Sequence, residues 1–170
     1  MGRHPKGCLL FDWGDTLMRD FKEFSSPMKD WPKVEAVPGA AEMLSALHPD
    51  WTLALATNAD VSDEADIRAA LQRAGLDRWL EKIYCFRKIG HKKPSPEFFR
   101  YILEDLGLSP DRVVMVGDNY EADVLGANAC GLKAVWFNPH TDEERKNERQ
   151  RTVHRLAALP DLLPEFMKSA

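Results

Sequence analysis

Apolar residues fall in five short, almost unbroken runs along the chain: Cys8 to Phe11, Thr52 to Ala56, Ile83 to Phe86, Val113 to Val116 and Lys133 to Phe137. Continuous apolar runs of this length suit strands covered on both faces. Between them the spacing turns helical: Gly39 to Leu47 behind Pro38, Ser62 to Ala74 before Gly75, Pro96 to Leu106 before Gly107, and Ala122 to Cys130 before Gly131. A glycine just past the last periodic residue is a helix stop signal. Strand and helix alternating in this way predict an α/β fold, a doubly wound three-layer sandwich around a central parallel sheet of about five strands, with right-handed crossovers.

Two segments depart from the pattern. Residues 18–37 carry Pro27, Pro32, Trp31 and several charges, and read as an irregular flap. In the tail, residues 141–170, the mixed charges of Asp142 to Arg151 read as a solvated helix or a frayed loop. Leu156 to Phe166 is expected to pack back on the sheet.

Composition narrows the class. A chain of 170 residues is large enough to bury its own core, so residues 1–170 are expected to form one domain. A formal charge of -4 leaves no basic footprint for nucleic acid. Cys8, Cys85 and Cys130 are odd in number and widely spaced, which suits free thiols in a reducing compartment; a cytoplasmic location is the expectation. The N-terminus is basic at Arg3 and Lys6, but the apolar run behind it stops at Asp12, too early for a membrane segment. Met1-Gly2 begins like a lipidation signal, yet Lys6 stands where Ser or Thr is needed.

The chemistry-bearing residues cluster just after strand ends. Asp12 follows the first run, Thr57 and Asn58 the second, Lys93 lies beyond the third, and Asp118 with Asp123 follow the fourth. In an open parallel sheet the carboxyl ends of the strands gather along one edge, so these groups are expected to converge. A carboxylate nucleophile, a hydroxyl and an amide, a cation and two further acids are the parts needed for phosphoryl transfer through an aspartyl-phosphate.

Four stretches, in order, then resemble the motifs of the haloacid dehalogenase superfamily. They are Phe11-Asp12-Trp13-Gly14-Asp15-Thr16-Leu17, Ala56-Thr57-Asn58, Lys93-Pro94-Ser95-Pro96-Glu97-Phe98-Phe99, and Gly117-Asp118-Asn119-Tyr120-Glu121-Ala122-Asp123. The resemblance implies a Mg²⁺-dependent phosphomonoester hydrolase in which Asp12 attacks phosphorus. It further implies that the Gly14 carbonyl joins Asp12 and Asp118 around the metal, with Asp123 supporting it. Thr57 would bind a phosphoryl oxygen, with Asn58 and the turn at Gly14 also lining the phosphate site, and Lys93 would offset negative charge. That offset matters, since two like unit charges about 4 Å apart repel by roughly 4 kcal/mol at an effective dielectric near 20.

The match breaks at one place. Phosphatases of this family usually carry a second aspartate two residues after the nucleophile, to protonate the leaving group and then activate water. Here that position is Gly14, and Asp15 stands one residue later. A shift of one residue in extended chain turns a side chain to the opposite face. Glycine gives the turn freedom for Asp15 to swing inward, so two readings stand: Asp15 acts as the acid/base, or the site works without one.

Neither usual place for a cap domain has room for one, so the site is expected to be open unless the flap or a second subunit covers it. An open site suits a phosphorylated small molecule or a phosphoprotein, and allows a homo-oligomer; no nucleic acid or membrane partner is expected. The rival readings are a catalytically weak module that binds phosphate or protein, and a dehalogenase. The latter fits less well, because those members dispense with metal and lack the Gly-Asp of the fourth motif. His91 and Trp13 could border the site, though a loop histidine is more often solvated and a strand-end aromatic more often packed.

Overall fold

The computed structural model describes Gly2 and residues 4–169; the basic and lipidation-like features at Met1 and Arg3, and the terminal Ala170, lie outside the described residues. Six parallel strands form one sheet in the order β3-β2-β1-β4-β5-β6. They are β1 (Cys8–Phe11), β2 (Thr52–Thr57), β3 (Lys82–Cys85), β4 (Val113–Gly117), β5 (Lys133–Phe137) and β6 (Gln150–Val153). Five coincide with the apolar runs to within a residue or so at each end.

The sixth strand was hidden by its composition. The charged tail does run without regular structure over residues 139–146, but Gln150–Val153 then pairs with β5, Trp136 facing Thr152 and Phe137 facing Val153. The polar Gln150, Arg151 and Thr152 look like loop residues, and they stand on the edge of the sheet, where polar side chains are tolerated. Of the two readings for Asp142 to Arg151, the loop describes its first half and a strand ends it; no helix forms there.

Pleating divides the core in two. Leu9, Phe11, Leu55 and Val116 face α1 (Ala40–Leu47), α2 (Glu64–Arg73) and, toward the far edge, α6 (Leu159–Lys168). Cys8, Leu10, Ala56 and Met115 face α4 (Pro96–Leu106) and the short α5 (Gly126–Ala129). A single turn, α3 (Phe86–Ile89), follows β3. Local sequence explains the helix ends: Asp63 and Asp66 form a reciprocal capping box at the start of α2, while Pro96 opens α4 and Gly107, at φ 62°, closes it.

Strand order places the site. From β1 the chain moves outward through β2 to β3, then crosses back to lay β4 on the other flank of β1. Strand order therefore reverses between β1 and β4, and open α/β sheets bind ligands at such a switch point, beyond the carboxyl ends of the strands. Asp12 and Asp118 are the residues immediately after those two ends.

Candidate active site

Backbone pairing brings the strand-end groups together. Phe11 lies opposite Val116 in the sheet, and the Asp12 amide continues the ladder to the Val116 carbonyl at 2.9 Å. One carboxylate oxygen from each of Asp12, Asp118 and Asp123 lies within 4.8 Å of the others. Lys93 fills the gap between two of them. Its ammonium donates to Asp12 Oδ1 at 3.1 Å, to Asp123 Oδ1 at 2.7 Å and to the Ala56 carbonyl at 2.7 Å, which uses all three of its protons.

The fourth motif delivers Asp123 by an unexpected route. The segment expected to be a regular helix from Ala122 begins as a wide π-type turn, Tyr120–Leu125, before α5. Asn119 caps it through Oδ1 to the Ala122 amide at 2.9 Å, and Asp123 Oδ2 accepts from the Asn119 amide at 3.1 Å. Such widened turns occur often at functional sites because they re-aim side chains. Gly117 is part of the same fit: a Cβ there would stand 2.0 Å from Asp123 Oδ2, so no other residue leaves room for the carboxylate.

Burial and charge set the proton affinities. Loss of water around Asp118, followed by its contact with Asp12 and the charge of Asp123, pushes its pKa up to about 8. Asp123 is raised to about 6, chiefly by burial, with Lys93 opposing and Asp12 adding to the rise. Burial alone would lower the Lys93 pKa, but the Asp12 and Asp123 charges outweigh it and hold it above the ordinary lysine value. Three carboxylates thus crowd a single ammonium, an imbalance that a hard divalent cation with oxygen ligands would relieve. The donor set fits magnesium.

Other expected residues divide. Thr57 is buried at the end of β2 beside the cleft, its hydroxyl accepting from the Ala59 amide at 3.1 Å. Asn58, which also borders the cleft, clamps the lysine in place: its Oδ1 accepts from the Lys93 amide at 2.8 Å and its Nδ2 donates to the Lys93 carbonyl at 2.9 Å. Lys92, the neighbouring rival to Lys93, is exposed and paired with Asp60 at 2.8 Å. His91 borders a separate shallow hollow with Glu97 and Arg100. Trp13 is buried, its indole N–H against Met18 Sδ at 3.2 Å, and it also borders the cleft beside Asp12.

Asp15 does not swing into the site. At φ 60° it occupies the left-handed region, its amide donates to the Met18 carbonyl at 2.6 Å, and its Oδ1 accepts from the Asp20 amide at 3.0 Å. Its side chain caps the flap and borders a second hollow with Arg19, His140 and His154. Of the two readings, the one that made Asp15 the acid/base is not what the geometry supports: Asp15 is a turn residue. Sequence reasoning also missed Thr16, buried with its hydroxyl donating to Asp118 Oδ1 at 3.2 Å, although it sits inside the first motif.

A cleft that reaches the cluster at Asp12 holds about 370 Å³. Asp12, Trp13, Gly14 and Thr57 form its floor, and the flap supplies Asp20, Phe24, Met28 and Trp31 as a wall. That wall is anchored: Arg19 and Val37 amides bond to the Glu35 and Leu17 carbonyls at 2.8 and 2.9 Å, and Arg73 of α2 donates to the carbonyls of Lys29 and Trp31 at 2.9 and 2.7 Å.

A doubly wound α/β protein with an acidic cluster and a buried lysine at its switch point is the class that fold and site define. The chain belongs to the haloacid dehalogenase-like hydrolases, whose family description matches residues 14–131, a stretch that begins just past Asp12 and takes in Thr57, Lys93, Asp118 and Asp123. It is 36% identical over 110 residues to the pyrimidine 5'-nucleotidase YjjG of Escherichia coli, covering 64% of this chain and 47% of that one. It is 32% identical over 141 residues to the ribulose-1,5-bisphosphate 5-phosphatase of Halopiger xanaduensis, covering 82% and 56%. The chain thus spans about half the length of the curated relatives it matches. A solved structure of an uncharacterized protein from Listeria monocytogenes serotype 4b superposes with a TM-score of 0.84 at 27% identity, over 95% of this chain and 99% of that one. Among the described residues no helix is long and apolar enough to cross a membrane.

Proposed function

We propose that the chain is a magnesium-dependent phosphomonoester hydrolase that works through a phosphorylated Asp12. The carrying observation is the convergence of Asp12, Asp118 and Asp123 around one point with the Lys93 ammonium bound to two of them. Relatives with phosphatase and nucleotidase activity lend this reading support.

Asp12, Asp118 and Asp123, with the Gly14 carbonyl, would hold the metal, which when bound offsets charge on the transferring phosphoryl group. Lys93 fixes Oδ1 of Asp12 and with it the orientation of the attacking carboxylate, while its charge lowers the repulsion that an approaching phosphate meets. Thr57 offers its hydroxyl proton to a phosphoryl oxygen. Asn58 acts one step back, on the Lys93 main chain. Attack by Asp12 on phosphorus breaks the ester bond and forms the acyl phosphate, which water then opens to release inorganic phosphate.

The cleft volume lies at the low end of small-molecule sites, which favours a phosphorylated metabolite over a phosphoprotein. We place the enzyme in the cytoplasm, with the flap, in place of an inserted cap, forming the substrate wall of this hydrolase domain. The three free cysteines fit that compartment.

Hydrolysis of 4-nitrophenyl phosphate, with Mg²⁺, with EDTA and in Asp12→Asn, tests the reading. The expected result is metal-dependent turnover that Asp12→Asn abolishes. Turnover indifferent to EDTA or to that substitution would overturn it, and background rates throughout would favour a phosphate- or protein-binding module.

A further inference from the structure

Gly14 leaves a vacancy in the chemistry but not in space. A Cβ built on Gly14 would lie 3.2 Å from Asp20 Cβ and 3.5 Å from both Cγ and Oδ2 of Asp20. The Asp20 side chain thus packs directly against the place where a side chain two residues beyond Asp12 would begin, with its carboxyl group at van der Waals distance from it. Asp20 also borders the cleft together with Asp12 and Thr57. Resting on the phosphatase reading above, we propose that Asp20, reaching in from the flap, is the general acid/base that Gly14 cannot be.

The turn is built to put it there. Asp15 in the left-handed region reverses the chain, Met18 returns beside Gly14 in a short parallel bridge, and Asp15 Oδ1 holds the Asp20 amide. Asp15 is then the positioning residue, and the Gly-Asp order in the first motif has a reason. An aspartate at position 14 would press on Asp20, and a glycine at 15 would lose the carboxylate that holds the flap strand. The Asp20 side chain is 38% exposed, so it can meet both a leaving group and water. Its partner Lys22 is 77% exposed, and a surface pair of that kind is worth at most about 1 kcal/mol, too little to lock the carboxyl away from substrate.

The proton balance closes over two steps. As Asp12 bonds to phosphorus and the P–O bond to the alcohol breaks, protonated Asp20 gives its proton to the departing oxygen. The Asp20 carboxylate then takes a proton from water as that water attacks the acyl phosphate. Phosphate leaves, Asp12 is freed and Asp20 is protonated again.

A pair of shape-matched esters tests this: 4-nitrophenyl phosphate, whose phenolate leaves readily, and 4-nitrobenzyl phosphate, whose alkoxide does not. Asp20→Asn should lower kcat on the benzyl ester by roughly 10²- to 10⁴-fold with little change in KM. On the phenyl ester it should release a burst of nitrophenolate and then accumulate phosphorylated protein, because only the water step still lacks its base. A double variant, Gly14→Asp with Asp20→Ala, moves the acid to the usual family position and should recover part of the benzyl-ester rate. Equal slowing of the phosphorylation step on both esters, read from the burst on the phenyl ester and from single-turnover alcohol release on the benzyl ester, is what a merely structural role would give; that result, or no loss on either ester, overturns the assignment whatever the double variant does. Wild-type protein inert toward both esters would instead sink the phosphatase reading itself, whereas an active wild type, a dead Asp12→Asn and an unchanged Asp20→Asn would sink only the role of Asp20.

Discussion

The strand-end cluster and the flap both present aspartates beside lysines to the same cleft, but by different physics. At the strand ends Lys93 and Asp123 have side chains only 2% and 1% exposed, so each charge there exists only because the others do. In the flap Asp20 pairs with a lysine that is mostly in water, and bonds to the main chain, from other backbone groups and from the side chains of Asp15 and Arg73, hold the segment in shape. The first region is an electrostatic assembly that must be complete to be stable. The second is a scaffolded loop whose exposed side chains can be exchanged at little cost to the fold, while Met28 and Trp31 stay buried in the core; the exposed positions are where substrate preference is free to vary.

Removing one lysine from each region separates the two most sharply. Lys93→Met leaves Asp12 and Asp123 buried without their cation, and breaking a buried pair in this way costs about 3–5 kcal/mol. Lys22→Met should change stability by less than about 1 kcal/mol. Urea unfolding in EDTA measures both, and similar small losses would show that the strand-end charges are not mutually dependent. Turnover should follow the same order, near zero for Lys93→Met and close to wild type for Lys22→Met.

A smaller effect comes from pH. Asp118 and Asp123 have native pKa values raised from 3.8 to about 8 and about 6. The folded chain therefore holds protons that the unfolded chain has already lost, so without metal stability falls as pH rises from about 4 and levels off near 8. The raised Lys93 pKa acts only above this window, since its contribution is lost when pH climbs past the native lysine value. Mg²⁺ binds the deprotonated acids and should flatten the slope, adding stability at pH 8 and little at pH 5. Thermal melts at the two pH values, with EDTA and with Mg²⁺, check this; a metal-free protein equally stable at both would show that the carboxylates do not crowd one another.

The same contrast explains what could be read from sequence. Asp12, Thr57, Lys93 and Asp118 sit at fixed offsets from apolar strands, so topology alone predicts their meeting, and the structure brings them together. Asp123 joins them, though the widened turn that aims it leaves no trace in hydrophobic spacing. Strand β6 escaped because an edge strand need not be apolar. The clamp of Asn58 on the Lys93 main chain, 35 positions away, cannot be seen from its sequence neighbours. Asp20 was missed for the strongest reason: nothing in a loop's sequence says which residue its return path will lay against Gly14.

Asp15 gives the smallest and most discriminating effect. Its carboxylate accepts one amide proton and its backbone sits at φ 60°, a conformation that asparagine tolerates and alanine does not. Asp15→Asn keeps both the acceptor and the tolerance, so it should leave stability within about 0.5 kcal/mol, and kcat within a few-fold on both nitrophenyl and nitrobenzyl esters. Asp15→Ala loses both, which should cost on the order of 1–2 kcal/mol and slow the benzyl ester more than the phenyl ester, because the misplaced group is Asp20. The two substitutions differ only in whether the turn is kept, whereas an acid at position 15 would be lost equally in both. If Asp15→Asn proved as damaging on the benzyl ester as Asp15→Ala, Asp15 itself would be the proton donor and the flap would be only a wall.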